Sequence, residues 1–123
     1  MLKNFEKETE RLSEYEEKKM MPVVIEVLQN AVGKARAITN SQIVMRYLPG
    51  ASEARVRKII NHIRNRHIIS GLMATTKGYY IATSREELEG YIDSLKGRVS
   101  AIRKVMQNIM RQMNRMFPVK EEK

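Results

Sequence analysis

The chain has 123 residues, a net charge of +9 and no cysteine or tryptophan. This length suits one domain with helical extensions. The absence of cysteine excludes disulfides, thiolate zinc sites and cysteine nucleophiles. No apolar run approaches the roughly 18 residues of a membrane-spanning helix, and the first residues are too acidic and polar for a signal peptide. We therefore expect a cytoplasmic protein.

The positive charge is concentrated in the middle of the chain. Residues 20–84 carry a net charge of +7, whereas residues 1–19 carry −1 and residues 85–123 carry +3. A basic central segment favours a polyanionic partner such as nucleic acid, although an anionic membrane surface would attract it too.

The first part of the chain predicts two helices. Residues 1–20 form a charged segment, with a helix over residues 2–19 that has only a thin apolar side. Pro22 suits the first turn of a second helix running to about Val32, where Gly33 ends it. Residues 21–84 are expected to form the central domain.

A short extended piece, Ala37-Ile38, precedes a third helix in the prediction. Thr39 or Asn40 caps this helix, which continues to about Tyr47. Its expected buried face consists of Ile43, Val44, Tyr47 and Leu48.

The most basic helix is predicted from Ser52, its cap, to about Arg66. A helical wheel places apolar residues together on one face: Val56, Ile60 and Ile63, with Ile59 at their edge. Polar residues lie on the opposite face: Lys58, Asn61 and Asn65, flanked by Arg57 and Arg64. One face is suited to the core and the other to a ligand.

Two strands, residues 68–75 and 79–83, are predicted next, with Lys77-Gly78 as the turn of a hairpin. Ser84 and Glu87 then form a capping box. They begin a last helix over residues 85–117, which is followed by a loose tail over residues 118–123.

The last helix carries apolar residues at alternating spacings of four and three, which is the heptad repeat of a helix-to-helix seam. We call this set the heptad stripe: Leu88, Ile92, Leu95, Val99, Ile102, Met106, Ile109, Met113 and Met116. It predicts homo-oligomerisation, with a dimer favoured. A parallel pair would place Arg98 against Arg103 of its partner, and Val105 and Met110 widen the apolar face. These features favour an antiparallel pair or a bundle, and the acidic N-terminal helix is a candidate member of such a bundle.

The order of these elements resembles the winged helix-turn-helix superfamily, over about residues 21–84. A narrower resemblance is to small winged-helix proteins of bacteriophages and prophages. It rests on the segments Arg55–Arg64, Lys77–Ala82, Glu86–Leu88 and Ser94–Arg98. The resemblance implies a mainly α fold with a small β-hairpin wing, and a double-stranded DNA-binding module used in transcription regulation or replication and associated with the nucleoid.

The residue types add a candidate DNA interface to this resemblance. Arginine can bridge guanine and asparagine can bridge adenine, whereas hydroxyls, lysines and helix starts favour phosphates. The expected DNA-binding residues are Arg36, Ser41, Ser52, Arg55, Arg57, Lys58, Asn61, Arg64, Asn65 and Lys77. An alternative function is a protein-interaction or assembly scaffold that does not bind DNA.

The sequence predicts neither a metal site nor a catalytic site. His62 and His67 are five residues apart and would point in different directions on a helix, so they do not form a chelating pair. No nucleophile with its base and no phosphate-binding glycine loop is recognised. We therefore expect no enzymatic activity, no cofactor and no identifiable small-molecule ligand.

Overall fold

The computed structural model describes residues 11–120, which are mainly helical with one small two-stranded antiparallel sheet, as expected. Among these described residues, those through Arg85 form one compact unit, which we call the compact unit, and those from Glu86 onward form a second unit. The helices are α1 (Met21–Gln29), α2 (Asn40–Tyr47), α3 (Glu53–Asn65) and α4 (Arg85–Met116), and the strands are β1 (Leu72–Thr75) and β2 (Gly78–Ile81). A π-helical segment, Glu16–Met20, precedes α1, and a 3-10 turn, Lys34–Arg36, follows it.

The N-terminal helical region begins after Ser13. The Ser13 hydroxyl accepts a hydrogen bond from the Glu16 N–H at 3.1 Å, and the Glu16 carboxylate accepts one from the Ser13 N–H at 2.8 Å. This is a capping box, which starts a helix at its own position. Of the predicted helix over residues 2–19, residues 14–19 are helical and residues 11–13 are not, so the described part begins later than predicted; residues 1–10 lie outside the described residues.

The two predicted N-terminal helices are also not separate. The π-helical segment continues into α1 without a break, and Pro22 lies in the first turn of α1. Proline lacks the N–H that a regular helix would use, and the wider π-helical turns accommodate that loss. One continuous helical segment therefore spans the boundary predicted between the charged segment, which ends at residue 20, and the central domain, which begins at residue 21.

Helix α1 ends at Gln29, earlier than the predicted Val32, because the following residues bond to β2. The Ile81 N–H donates to the Ala31 carbonyl at 2.7 Å, and the Gly33 N–H donates to the Ile81 carbonyl at 2.9 Å. The backbone of residues 31–33 therefore forms sheet-like hydrogen bonds in place of another helical turn.

Helices α2 and α3 begin at the predicted caps. Thr39 and Gln42 form a capping box at the start of α2, and the Ser52 hydroxyl accepts the N–H of Arg55 at 3.1 Å at the start of α3. The Asn40 side-chain amide donates to the Glu53 carbonyl at 2.7 Å. This bond links the first turn of one helix to the first turn of the next.

The expectation that Tyr47 is buried is wrong, since its side chain is 47% exposed. The chain leaves helical geometry at the next residue, Leu48, whose side chain packs against the core. Ile43 is fully buried, and Val44 is partly buried as predicted.

The hairpin is shorter than predicted, and Thr76-Lys77 is its two-residue turn, since Thr75 pairs with Gly78. Residues 68–71 do not belong to β1 because the end of α3 extends into this region. His67 adopts a left-handed φ of 57°, and the Ile68 N–H donates to the Ile63 carbonyl at 3.1 Å. This is the hydrogen bond of a Schellman motif.

Gly78 is therefore the first residue of β2, and the reason for a glycine there is close backbone packing. Its φ is 119°, and a Cβ atom would lie 2.6 Å from the carbonyl oxygen of Ile38. Tyr79, the next residue, exchanges two backbone hydrogen bonds with Ile38 at 2.7 and 3.0 Å. The extended piece predicted at Ala37-Ile38 thus lies along the edge of β2 that does not pair with β1.

The core of the compact unit is formed by one apolar cluster. Every residue predicted for the buried face of α3 is fully buried. In β2, Tyr79 is partly buried and packs against this cluster, whereas the buried Tyr80 lies outside it. The buried cluster consists of Met20, Val24, Leu28, Ala31, Ile38, Ile43, Val56, Ile59, Ile60, Ile63, Ile69 and Leu72.

Helix α4, considered by itself, has 32 residues and a length of about 48 Å. None of its residues is buried. Its bounds agree with the prediction of one long helix that ends just before Pro118.

Candidate nucleic-acid interface

The exposed face of α3 is the candidate ligand surface of the compact unit. The buried face anchors the helix in the core, so its orientation is set by packing. Arg57, Asn61 and Asn65 all lie exposed on the opposite side. None of these three side chains has a hydrogen-bond or ion-pair partner among residues 11–120, so their donors are available to a ligand.

Two other cations predicted for this interface are already paired. Arg55 Nε lies 2.8 Å from Glu16 Oε2, and Lys58 Nζ lies 2.8 Å from Glu16 Oε1. The Arg55 guanidinium also lies over the ring of Tyr15, 5.5 Å from its centroid. We call Glu16, Arg55 and Lys58 the Glu16 cluster. It joins the N-terminal helical region to α3.

The carboxylate of the Glu16 cluster is buried, with only 4% of its side chain exposed. Burial alone would raise the pKa of Glu16. Hydrogen bonds from Lys58, from the Ser13 N–H and from Arg55, together with the charge of Lys58, outweigh burial and lower the pKa to about 2. Glu16 is therefore ionised at neutral pH, and it holds both cations.

Sequence reasoning did not identify Glu16 as part of this region. Its local signal was present, because Ser13 followed three positions later by a glutamate is the pattern of a capping box. Its pairing with α3, by contrast, joins residues 39 positions apart in the chain and has no local signal. A helical wheel placed Lys58 on the outer face, yet only 24% of its side chain is exposed.

The remaining predicted interface residues have different environments. Ser52 caps α3 through its hydroxyl, and Arg64 is half-buried and already interacts within the fold. Arg36 is exposed at the end of the 3-10 turn. Ser41 is exposed in the first turn of α2, with its hydroxyl 4.0 Å from the sulfur of Met45.

Lys77 is exposed at the tip of the hairpin. Its N–H donates to the Thr75 hydroxyl oxygen at 3.1 Å, and that hydroxyl donates to the Gly78 carbonyl at 3.0 Å. These bonds hold the turn, so the lysine side chain extends from a defined backbone.

A second basic region contains one predicted cation and one that the sequence did not predict. An open depression of about 310 Å³ lies between α1, the 3-10 turn and α2, and its lining includes Arg36 and Arg46. Both arginines are exposed, and neither has an ion-pair partner in the described part of the chain. Arg46 is a further cation to add to the predicted set.

The heptad stripe is the other exposed functional candidate. Seven of its nine side chains are between 49% and 68% exposed, while Leu88 and Leu95 are half-buried. Val105 and Met110, which flank the stripe, are also at least half exposed. A continuous exposed apolar surface of this length indicates an interaction site.

Within residues 11–120, no group of three His, Asp or Glu side chains is arranged to hold a metal ion. The described helices include none that is both long and apolar enough to cross a membrane. Comparisons with protein-family models, with curated proteins and with solved structures find no significant match to this chain.

Proposed function

We propose that the compact unit is a winged helix-turn-helix domain that binds double-stranded DNA through α3. The observation that carries this proposal is the unpaired, exposed set Arg57, Asn61 and Asn65 on a helix whose other face is buried in the core. The helix pair α2–α3, followed by a two-stranded hairpin, is the order of elements in such domains.

The chemistry of the exposed face matches base edges in a major groove. Arg57 would donate two hydrogen bonds to a guanine, and Asn61 and Asn65 would each be able to pair with the edge of an adenine. The groove of B-DNA is wide enough to admit one α-helix. This arrangement would give semi-specific or sequence-specific binding.

Cations around α3 would contact the phosphate backbone. Lys77 extends from the hairpin tip, which would act as the wing, and Arg36 and Ser41 lie near the start of α2. Contacts of this kind position a protein on DNA without selecting a sequence.

The Glu16 cluster changes the role that we assign to Arg55 and Lys58. A carboxylate already satisfies both side chains, so we propose that they hold the N-terminal helical region on α3. Removing Lys58 would leave a buried carboxylate short of a partner, so a loss of DNA binding by that variant would not identify a DNA contact.

Self-association through the heptad stripe would bring two DNA-binding units together. Burying a Leu, Ile, Val or Met side chain contributes about 1.5–3 kcal/mol, and association costs roughly 4–15 kcal/mol. Each stripe residue is already about half buried and would contribute roughly half of that amount, so the nine residues from each copy together still suffice to hold a pair. Two linked units bind two half-sites with a raised effective concentration. A role in transcription regulation or replication, as in phage winged-helix proteins, fits this design.

The test is the variant Arg57→Ala/Asn61→Ala in a fluorescence titration with duplex DNA. We expect binding to weaken by roughly tenfold or more, because each lost contact is worth about 1–3 kcal/mol. The matched control is Lys104→Ala/Asn108→Ala, which removes a cation and an amide at the same spacing from an exposed face of α4. Unchanged affinity in a folded Arg57→Ala/Asn61→Ala variant would contradict the proposal.

The second candidate function is an assembly scaffold without DNA binding, which the exposed heptad stripe favours. Wild-type protein that self-associates yet gives no mobility shift with random duplex DNA at low ionic strength would support the scaffold. A mobility shift that the wild-type protein shows and that the control variant Lys104→Ala/Asn108→Ala retains would support DNA binding.

A further inference from the structure

Helix α4 has charges of opposite sign at its two ends. The only acidic side chains of α4 lie in its first nine residues: Glu86, Glu87, Glu89 and Asp93. From Lys96 to Met116 every charged residue is basic: Lys96, Arg98, Arg103, Lys104, Arg111 and Arg115. The helix is thus acidic near its start and basic over the rest of its length.

We propose that the heptad stripe of α4 pairs antiparallel with the same stripe of a second copy of this chain. An antiparallel arrangement separates the two acidic starts and brings Asp93 of each helix level with Arg115 of the other, whereas a parallel arrangement places like charges side by side along the whole helix. The proposal rests on the self-association part of the proposed function and is independent of DNA binding.

The residues that flank the stripe support the same orientation. In a parallel pair, Arg98 of each copy would face Arg103 of the other, which gives two like-charge contacts. In an antiparallel pair, the residues on one side of the stripe face the residues on the same side of the stripe in the second copy. Arg98 can then lie beside Gln112 of the second copy, and Val105 can lie beside Val105 of the second copy.

These contacts also define the alignment of the two helices. With the two-fold axis near Val105, Leu95 packs in one layer with Met113 of the second copy, and Ile102 packs with Met106 of the second copy. Moving the axis one half-heptad toward the start of α4 would set Lys96 against Arg103 twice. The alignment centred near Val105 has one Arg103–Arg103 contact in place of two such pairs, and it places the exposed Val105 inside the apolar seam.

An anionic membrane fits the stripe less well than a second helix does. The spacing of four and three residues persists over nine positions, and a repeat of 3.5 residues keeps a stripe facing a partner helix along its whole length. The acidic start of α4 would also be repelled by anionic lipid. A second copy covers the apolar stripe along most of its length.

The chain contains no cysteine, so introduced cysteines can locate the contact without interference. Val105→Cys should cross-link to its own copy with a short thiol-specific reagent in the full-length protein without DNA. Ile92→Cys is the control, since antiparallel pairing separates it from its counterpart by about 36 Å along the helix axis. We expect at least tenfold more cross-linked dimer for Val105→Cys than for Ile92→Cys.

A mixed reaction provides a second measurement. Leu95→Cys and Met113→Cys should give a cross-linked dimer when mixed and little when either is treated alone. Efficient cross-linking of Ile92→Cys would indicate parallel pairing and overturn the proposal. A monomeric mass in light scattering, with or without binding to anionic vesicles, would overturn it too. Arg57→Ala/Asn61→Ala should retain the wild-type mass, so failure of DNA binding and failure of pairing are distinguishable.

Discussion

The compact unit and α4 use apolar residues in opposite ways. Within the compact unit, Ile59, Ile60 and Ile63 on one helix face are fully buried by neighbouring elements of the same chain. In α4, Ile102 and Ile109 occur at an equally regular spacing, yet more than half of each side chain is exposed. The comparison shows that periodicity identifies an interaction face and leaves the identity of its partner open.

The largest expected effect comes from a pair of matched truncations, one in each region. Ile60→Ala should lower the free energy of unfolding of the compact unit by about 2–5 kcal/mol, because it removes a buried side chain and leaves a cavity. Ile102→Ala should leave that free energy almost unchanged and should instead weaken self-association. Denaturant titration and light scattering measure the two effects. Similar unfolding losses in both variants would contradict the comparison.

A pH titration measures the contribution of Glu16 to the stability of the compact unit. Its pKa falls from 4.5 to about 2 on folding, so the stabilisation that it contributes is present above about pH 4.5 and disappears as the pH falls through 2. The shift corresponds to about 3 kcal/mol. Chemical denaturation of the wild-type protein at several pH values measures this loss.

The control for that titration is Glu16→Gln. This variant cannot lose the same proton-linked stabilisation, so its stability should decline less between pH 5 and 2. Equal slopes for the two proteins would show that Glu16 is not the titrating group. Self-association through α4 should not require the Glu16 carboxylate, so Glu16→Gln should retain the wild-type mass at neutral pH.

Gly78→Ala should destabilise the compact unit by about 2–3 kcal/mol, because the new methyl group would collide with the Ile38 carbonyl at a positive φ. Gly97→Ala in α4 is the matched control. A Cβ there meets no atom within 4 Å, so this change should preserve or raise helicity. Thermal unfolding followed by circular dichroism distinguishes them, and an undiminished melting temperature for Gly78→Ala would contradict the close-packing explanation.

The smallest expected effect is a gain. His67 occupies the left-handed position after α3, where glycine is the usual residue. His67→Gly should therefore stabilise the compact unit by less than about 1 kcal/mol, because it removes backbone strain at an exposed site. Denaturant titration measures the change, and a clear loss of stability would mean that the imidazole contributes more than its backbone conformation costs.

Local signals account for most of what the sequence predicted correctly. The caps at Thr39 and Ser52 and the apolar spacing of α3 involve residues within one or two helical turns, so propensity and periodicity identify them. Two of the errors have a non-local cause. Gly78 was assigned to the turn because its contact with Ile38 lies 40 positions away in the chain, and α1 ends early because β2 competes for its backbone groups.

The same limit applies to the candidate interface. The wheel identified the exposed positions Arg57, Asn61 and Asn65, because exposure follows from the orientation of the buried face. The wheel also assigned Lys58 to a ligand, and Arg55 was expected near the DNA backbone, although a carboxylate from another helical region pairs with both. DNA binding by any of these residues stays a prediction.

The Glu16 cluster has a consequence for counter-ion thermodynamics. Cations that bind DNA phosphates release condensed counter-ions, and the number released sets how steeply affinity falls with ionic strength. Arg55 and Lys58 form their ion pairs with Glu16 when the chain folds. They would therefore release few counter-ions when the protein binds DNA. The fall of affinity with ionic strength should correspond to up to two fewer phosphate contacts than the number of basic residues around α3 suggests.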